Sequence, residues 1–170
     1  MISTIGFIYK EIFSTERNEE VVSEKWQEDN RKDMAVENSS SEEALKAPYY
    51  NRMDVVVVDF GDIKGDCLLR KRRPAIVLSR TDYNEHSPIM QVAPMTKSRK
   101  GLHKKYHVLV KQQYCNNLRG PGMCMLEQTR PIDRRQVAYK IGSINSKKLI
   151  HEIDQAVSYV TGLGDRNGLE

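Results

Sequence analysis

Apolar residues fall into three textures along this chain. From Ser14 to Ala47 they are sparse: Val21, Val22, Trp26, Met34, Val36 and Leu45 are the only large ones in a run dense in Glu, Asn and Ser. Such a segment has too little apolar surface to offset the entropy of ordering, so it reads as an arm. Its one helical signal is Val22 and Trp26, four apart, which predicts at most a short helix around Glu19–Asn30 before the linker Ser39-Ser40-Ser41. After Tyr49-Tyr50 short β-rich runs recur between turn residues. They predict strands at Asp54–Phe60, Arg73–Ser79, Ile89–Met95, Tyr106–Lys111 and Met123–Gln128, with a sixth near Val137–Ile141. Gly61-Asp62, Gly65-Asp66 and Arg119-Gly120-Pro121-Gly122 punctuate them, and Pro131-Ile132-Asp133 reads as the stop of the fifth. At the C-terminus Leu149, Ile150, Ile153, Val157 and Val160 recur at helical spacing, between a cap at Asn145 or Ser146 and a stop at Gly162. That stripe must cover something, and a small curled sheet is the available partner.

The expected fold is therefore mainly β: a small barrel of five or six strands closed by a C-terminal helix, preceded by an acidic, partly helical or disordered arm. The boundaries are an arm and linker at 1–47, a barrel with its helix at 48–163 and a tail at 164–170. At 39% hydrophobic residues in 170, one modest core is expected. Apolar runs such as Val55–Val58 fall far short of the roughly 20 residues that a membrane span needs. Ile5-Gly6-Phe7-Ile8-Tyr9 lacks a preceding basic stretch and meets Glu11 too soon for a secretory signal. Cys67, Cys115 and Cys124 form no CxxC pair, which argues for reduced thiols and a cytoplasmic protein.

Charge sharpens the picture. Residues 1–47 hold 6 of the 27 basic and 11 of the 23 acidic side chains, leaving 21 against 12 for residues 48–170. A net +4 conceals a barrel at +9, a balance that suits a polyanion such as nucleic acid. GxSxG, HExxH, Walker-type GxxxxGK[ST] and GxGxxG are absent. His103 and His107 are four apart and could share a helical face, but Tyr106–Lys111 reads as a strand and no carboxylate cluster completes a metal site, so no cofactor is expected.

Three segments remain as candidate chemistry. Arg70-Lys71-Arg72-Arg73 enters a strand at Pro74, where Arg73 occupies an ordered first position from which a guanidinium can be aimed at a phosphate. Ala93-Pro94-Met95-Thr96-Lys97-Ser98 ends a strand on a hydroxyl, a cation and a hydroxyl. In Leu126-Glu127-Gln128-Thr129-Arg130-Pro131-Ile132-Asp133, strand alternation would put Glu127 and Thr129 on one face, and Gln128 and Arg130 on the other.

At these residues the chain resembles the PemK/MazF family of type II toxin–antitoxin endoribonucleases, whose SH3-like barrel is related to the CcdB gyrase poison. Val55-Val56-Val57-Val58-Asp59-Phe60-Gly61 resembles the family's opening strand, Arg73-Pro74-Ala75-Ile76-Val77-Leu78-Ser79 its arginine-proline strand, and Tyr83-Asn84-Glu85-His86-Ser87-Pro88 the following turn. Val92-Ala93-Pro94-Met95-Thr96 resembles its hydroxyl-bearing strand, Leu126 to Asp133 its EQ-x-R-x-I-D segment, and Lys140-Ile141-Gly142-Ser143-Ile144 the approach to its final helix. Two departures stand out. Met53 occupies the place where the family commonly has Gly, and the Gly65–Arg72 loop lacks the family's acidic-amide pair.

The resemblance implies metal-independent cleavage of single-stranded RNA by 2′-OH attack, leaving a 2′,3′-cyclic phosphate and a 5′-OH. It implies Arg73 and Thr96 as catalytic, with Glu127 as the candidate base. Arg72, Lys97, Ser98, Gln128 and Arg130 are the candidate RNA-binding residues. It further implies a homodimer and a cognate antitoxin. The alternative is a non-catalytic barrel that binds a protein target, as the gyrase poison does, or binds RNA without cutting it.

Overall fold

The computed structural model describes residues 40–62, 67–98, 103 and 105–163. The chain divides into two compact units, Met1–Glu43 and Ala44–Glu170. Of the first, only residues 40–43 are described, and they are helical. The expected helix at Glu19–Asn30, the rest of the arm, the tail at 164–170 and the loop residues 63–66 lie outside the described residues.

The second unit is an antiparallel sheet of seven strands: β1 (Asp54–Asp59), β2 (Arg72–Val77), β3 (Ile89–Thr96), β4 (His107–Val110), β5 (Gly122–Met125), β6 (Arg130–Asp133) and β7 (Val137–Ser143). Their order is β4-β5-β3-β2-β1-β7, with β6 paired to β3. Two helices complete it, the short α1 (Thr81–His86) and the terminal α2 (Lys147–Thr161). This is the expected mainly β fold with its C-terminal helix.

β1 lies between β2 and β7, and its run of valines is buried on both faces, so the two faces nucleate separate cores. Val55 lies with Ile76, Met95, Val108 and Val110 beneath Leu149, Ile153 and Ala156 of α2. Val56 and Val58 lie with Ala75, Val77, Met90, Val92 and Ile132. The single core expected from composition is thus two thin ones sharing one strand. α2 starts at Ser146, whose side chain accepts from the Leu149 amide, and stops at Gly162 with φ 70°.

Three local expectations need correction. β5 ends at Met125, and Leu126–Gln128 turn as a 3-10 helix, with Thr129 donating through Oγ1 to the Leu126 carbonyl at 2.7 Å. The alternation expected for Glu127 to Arg130 therefore does not exist. Pro131 does not stop a strand but sits inside β6, opposite Gln91. β6 pairs only with β3, and an edge strand tolerates a residue with no N–H to donate. Tyr83–His86 belong to α1 rather than to a plain turn, and the fully buried Asn84 staples it by donating to the Tyr50 and Ser79 carbonyls at 2.8 and 3.2 Å.

Met53, where the family commonly has Gly, carries φ 70°. That left-handed backbone favours glycine, and a side chain there costs about 1–2 kcal/mol. The conformation is held because Met53 N donates to Val77 O at 2.8 Å while its carbonyl accepts from Ile144 N at 3.0 Å. The side chain is 4% exposed, so apolar burial offsets the strain.

Candidate active site

β2 and β3 pair from Ala75–Pro94 to Val77–Val92. Continued outward, that register sets Pro74 against Met95 and Arg73 against Thr96, but neither Pro74 nor Pro94 has an N–H, and the ladder stops. β3 then turns to β5, pairing Met95 with Cys124 and Thr96 with Met123. A strand that leaves one neighbour for another opens a gap between them, and a cleft of about 760 Å³ lies there, lined by both Arg73 and Thr96. Gly122 in β5 leaves room for the Met95 side chain, since a Cβ there would lie 2.7 Å from Met95 Cε.

The lining carries five cations, Arg72, Arg73, Lys97, Arg119 and Lys140, and no carboxylate. Val57, Pro74, Met95 and Leu118 add apolar surface, and the ring of Tyr139, 60% exposed, stands at the same cleft. Cations beside an aromatic face are the combination that takes a phosphodiester strand and its bases. Arg73 donates through Nε to the Arg70 carbonyl at 2.6 Å, which leaves its two terminal nitrogens for an anion among the described residues. Thr96 Oγ1 accepts from the Ser98 amide at 3.2 Å, so its O–H remains to donate. Arg72 is shared with Asp59 at 3.1 Å, and Lys140 with Asp54 at 2.7 Å. Asp54, 2% exposed, also takes the Ser143 hydroxyl at 2.7 Å and thereby pins two positions of β7. Asp59 lies below the usual carboxylate range because it accepts from the Gly61 amide and then from Arg72.

The structure thus brings together Arg72, Arg73, Thr96, Lys97 and Ser98. Glu127, Gln128 and Arg130 lie outside the cleft's lining, because the 3-10 turn carries them elsewhere. Glu127 Oε1 lies 3.1 Å from His107 Nε2. His107 Nδ1 accepts from the His103 amide at 2.8 Å, which places the proton of the neutral ring on Nε2, facing Glu127. Gln128 Oε1 accepts from the Leu69 amide at 2.7 Å, and Arg130 donates to the Leu69 carbonyl while stacking 4.1 Å from the Phe60 ring. Leu69 adjoins Arg70, whose carbonyl holds Arg73. Gln128 and Arg130 thus hold the main chain next to the carbonyl that takes Arg73 and are not part of the cleft wall.

Sequence reasoning missed Arg119, Tyr139 and Lys140. Arg119 lies within the turn signal Arg119-Gly120-Pro121-Gly122, and the polarity of the last strand is the available hint for the other two. Among the described residues, no group of three or more His, Cys, Asp or Glu side chains is placed to hold a metal ion, and no helix is long and apolar enough to cross a membrane. All three cysteines are free, Cys67 exposed and the other two buried.

Fold and cleft define a small, helix-capped β-barrel with a cationic groove at a sheet junction. The family model for the PemK-like, MazF-like toxin of type II toxin–antitoxin systems matches residues 51–161, and the chain belongs to that family. Among solved structures, MazF from Deinococcus radiodurans superposes with a TM-score of 0.57 at 22% identity, covering 68% of this chain and 98% of that one. Mycobacterium tuberculosis toxin MazF-mt6 gives 0.52 at 20%, covering 64% and 96%. An endoribonuclease in complex with its cognate antitoxin, from a mycobacterial species, gives 0.54 at 17%, covering 67% and 96%. At these identities the likeness is one of fold. No curated protein matches in sequence.

Proposed function

We propose that this chain is a metal-independent endoribonuclease toxin that cleaves single-stranded RNA in the cytoplasm. The observation that carries the reading is that Arg73 and Thr96, far apart in sequence, line one cleft whose other charges are all positive. In the reaction the ribose 2′-oxygen attacks the adjacent phosphorus and loses its proton to solvent. The P–O5′ bond breaks, and the departing 5′-oxygen takes a proton from the Arg73 guanidinium, which regains one from water. Products are a 2′,3′-cyclic phosphate and a 5′-OH. Negative charge gathers on the non-bridging oxygens as the phosphorus becomes five-coordinate, and the Arg73 nitrogens and the Thr96 hydroxyl are the donors that meet it. Glu127, turned to His107, takes no part.

The same cleft suits the acidic segment of a cognate antitoxin, and the neighbour solved with its antitoxin supports that partner. A homodimer is the expected assembly. The test is single-stranded RNA incubated with the protein, with Arg73→Ala and with Thr96→Val, followed by analysis of the new ends. Cleavage by the wild type alone supports the reading. Binding without cleavage supports the non-catalytic alternative.

A further inference from the structure

A second pocket, of about 410 Å³, is lined by Gln113, Asn116, Asn117 and Asn145 together with Tyr114, Gly142, Ser143 and Ser146. It adjoins the cationic cleft. Asn117 lines both, and two walls run from one into the other: β7, with Tyr139 to Ile141 in the cleft and Gly142 and Ser143 in the pocket, and the segment leading to β5. The walls stand close because Gly142 has no side chain: a Cβ there would lie 3.0 Å from Cys115 Sγ. Asn117 Nδ2 donates to Ile141 O at 2.8 Å and ties them together. Along β7 from Tyr139 to Ser143 the trench runs about 13 Å.

Its two ends differ in chemistry. The cleft presents five cations, whereas the pocket lining holds no Lys, Arg, His, Asp or Glu. With no charged side chain in its lining, the pocket is better matched to the uncharged part of a nucleotide than the five-cation cleft is. Carboxamides pair a donor with an acceptor, the pattern that reads the edge of a base, and unstacked single-stranded bases expose that edge. The side chains of Gln113, Asn116 and Asn145 have no hydrogen-bond partner among the described residues, so their amides are available to a ligand.

We propose that this pocket is a nucleobase subsite that reads the base of a nucleotide whose phosphate lies in the cationic cleft, and so sets sequence preference. The proposal rests on the ribonuclease reading, but its test does not require cleavage. Short 2′-O-methyl RNA strands, which lack the attacking hydroxyl, are varied through the four bases at one position at a time, and binding is followed by fluorescence anisotropy. The wild type should show a preference of about tenfold or more at one position. In the double variant Asn116→Ala/Asn145→Ala it should fall below about twofold, with the salt dependence unchanged because the cations are untouched. Both positions are exposed and carry no internal side-chain bond, so the fold should survive. No base preference in the wild type, no binding, or a preference that persists in the double variant would overturn the subsite. Failure to produce cyclic-phosphate ends from unmodified RNA would overturn the nuclease reading separately, and a base preference that depends on Asn116 and Asn145 would then still stand.

Discussion

Arg134 is 4% exposed, and its guanidinium donates to main-chain carbonyls from separate segments. Nε donates to Ala47 O at 2.9 Å, Nη2 to Ala47 O at 2.6 Å and Leu45 O at 2.8 Å, and Nη1 to Asn84 O and Ser87 O at 3.1 Å each. One side chain thus fastens the segment before Tyr49 and the C-terminal end of α1 to the turn after β6. In Arg134→Ala four carbonyls lose a charge-assisted bond. Each is worth about 1.5–3 kcal/mol while buried, but water can reach those beside the exposed Leu45. We expect a net loss of about 4 kcal/mol, within the range for breaking buried charged networks. For a unit of this size that is a melting shift of about 12–20 °C. Arg134→Lys keeps the charge, but one ammonium cannot reach all four carbonyls, so it should recover less than half of the loss. Urea unfolding reads this as a lower midpoint at constant slope. A loss in Arg134→Ala under about 1 kcal/mol, or a Lys variant equal to wild type, would refute the clamp.

Other perturbations probe the cleft and its supports. Thr96→Val, nearly the same shape, should lower kcat by about 10²–10³ with RNA binding unchanged; a loss confined to binding would remove Thr96 from the transition state. Gln128→Glu keeps an oxygen for the Leu69 amide and should retain most of the kcat that Gln128→Ala loses, whereas equal loss in both would deny the positioning role. Asp133 is held below the usual carboxylate range, first by the Arg135 side chain. Its stabilisation is complete above its unfolded pKa of about 3.9 and is lost as pH falls through the lower folded value. Urea midpoints of Asp133→Asn should therefore converge on those of wild type in acid. Burial pushes the Cys115 and Cys124 thiols up while Cys67 is exposed, so native protein should take one iodoacetamide and denatured protein three. Removing residues 1–39, a segment rich in acidic side chains, should raise RNA affinity more at low salt than at high salt.

Much of the fold was legible because it is written in local patterns. The valines of β1, the stripe of α2 with its Ser146 cap and Gly162 stop, and the Arg-Pro and Pro-Met-Thr segments all announce themselves within a few residues. What was not legible depends on partners distant in sequence. Pro131 looks like a terminator until β6 is known to lie at an edge. Glu127 looks like a groove residue until Thr129 closes the 3-10 turn that carries it to His107. Arg134 sits in an unremarked Arg-Arg pair, and only the fold brings four carbonyls around one of them. Arg119, Tyr139 and Lys140 become cleft residues only because β7 and the segment leading to β5 face each other across it.

The central claim is that the Arg73–Thr96 cleft breaks RNA by its own side chains. The direct test is purified protein with single-stranded RNA in excess EDTA, beside Arg73→Ala, with chemical identification of the ends. The account predicts 2′,3′-cyclic phosphate and 5′-OH ends from the wild type and intact RNA from the variant. Intact RNA with the wild type despite measurable binding, or 3′-OH ends from both, would contradict it.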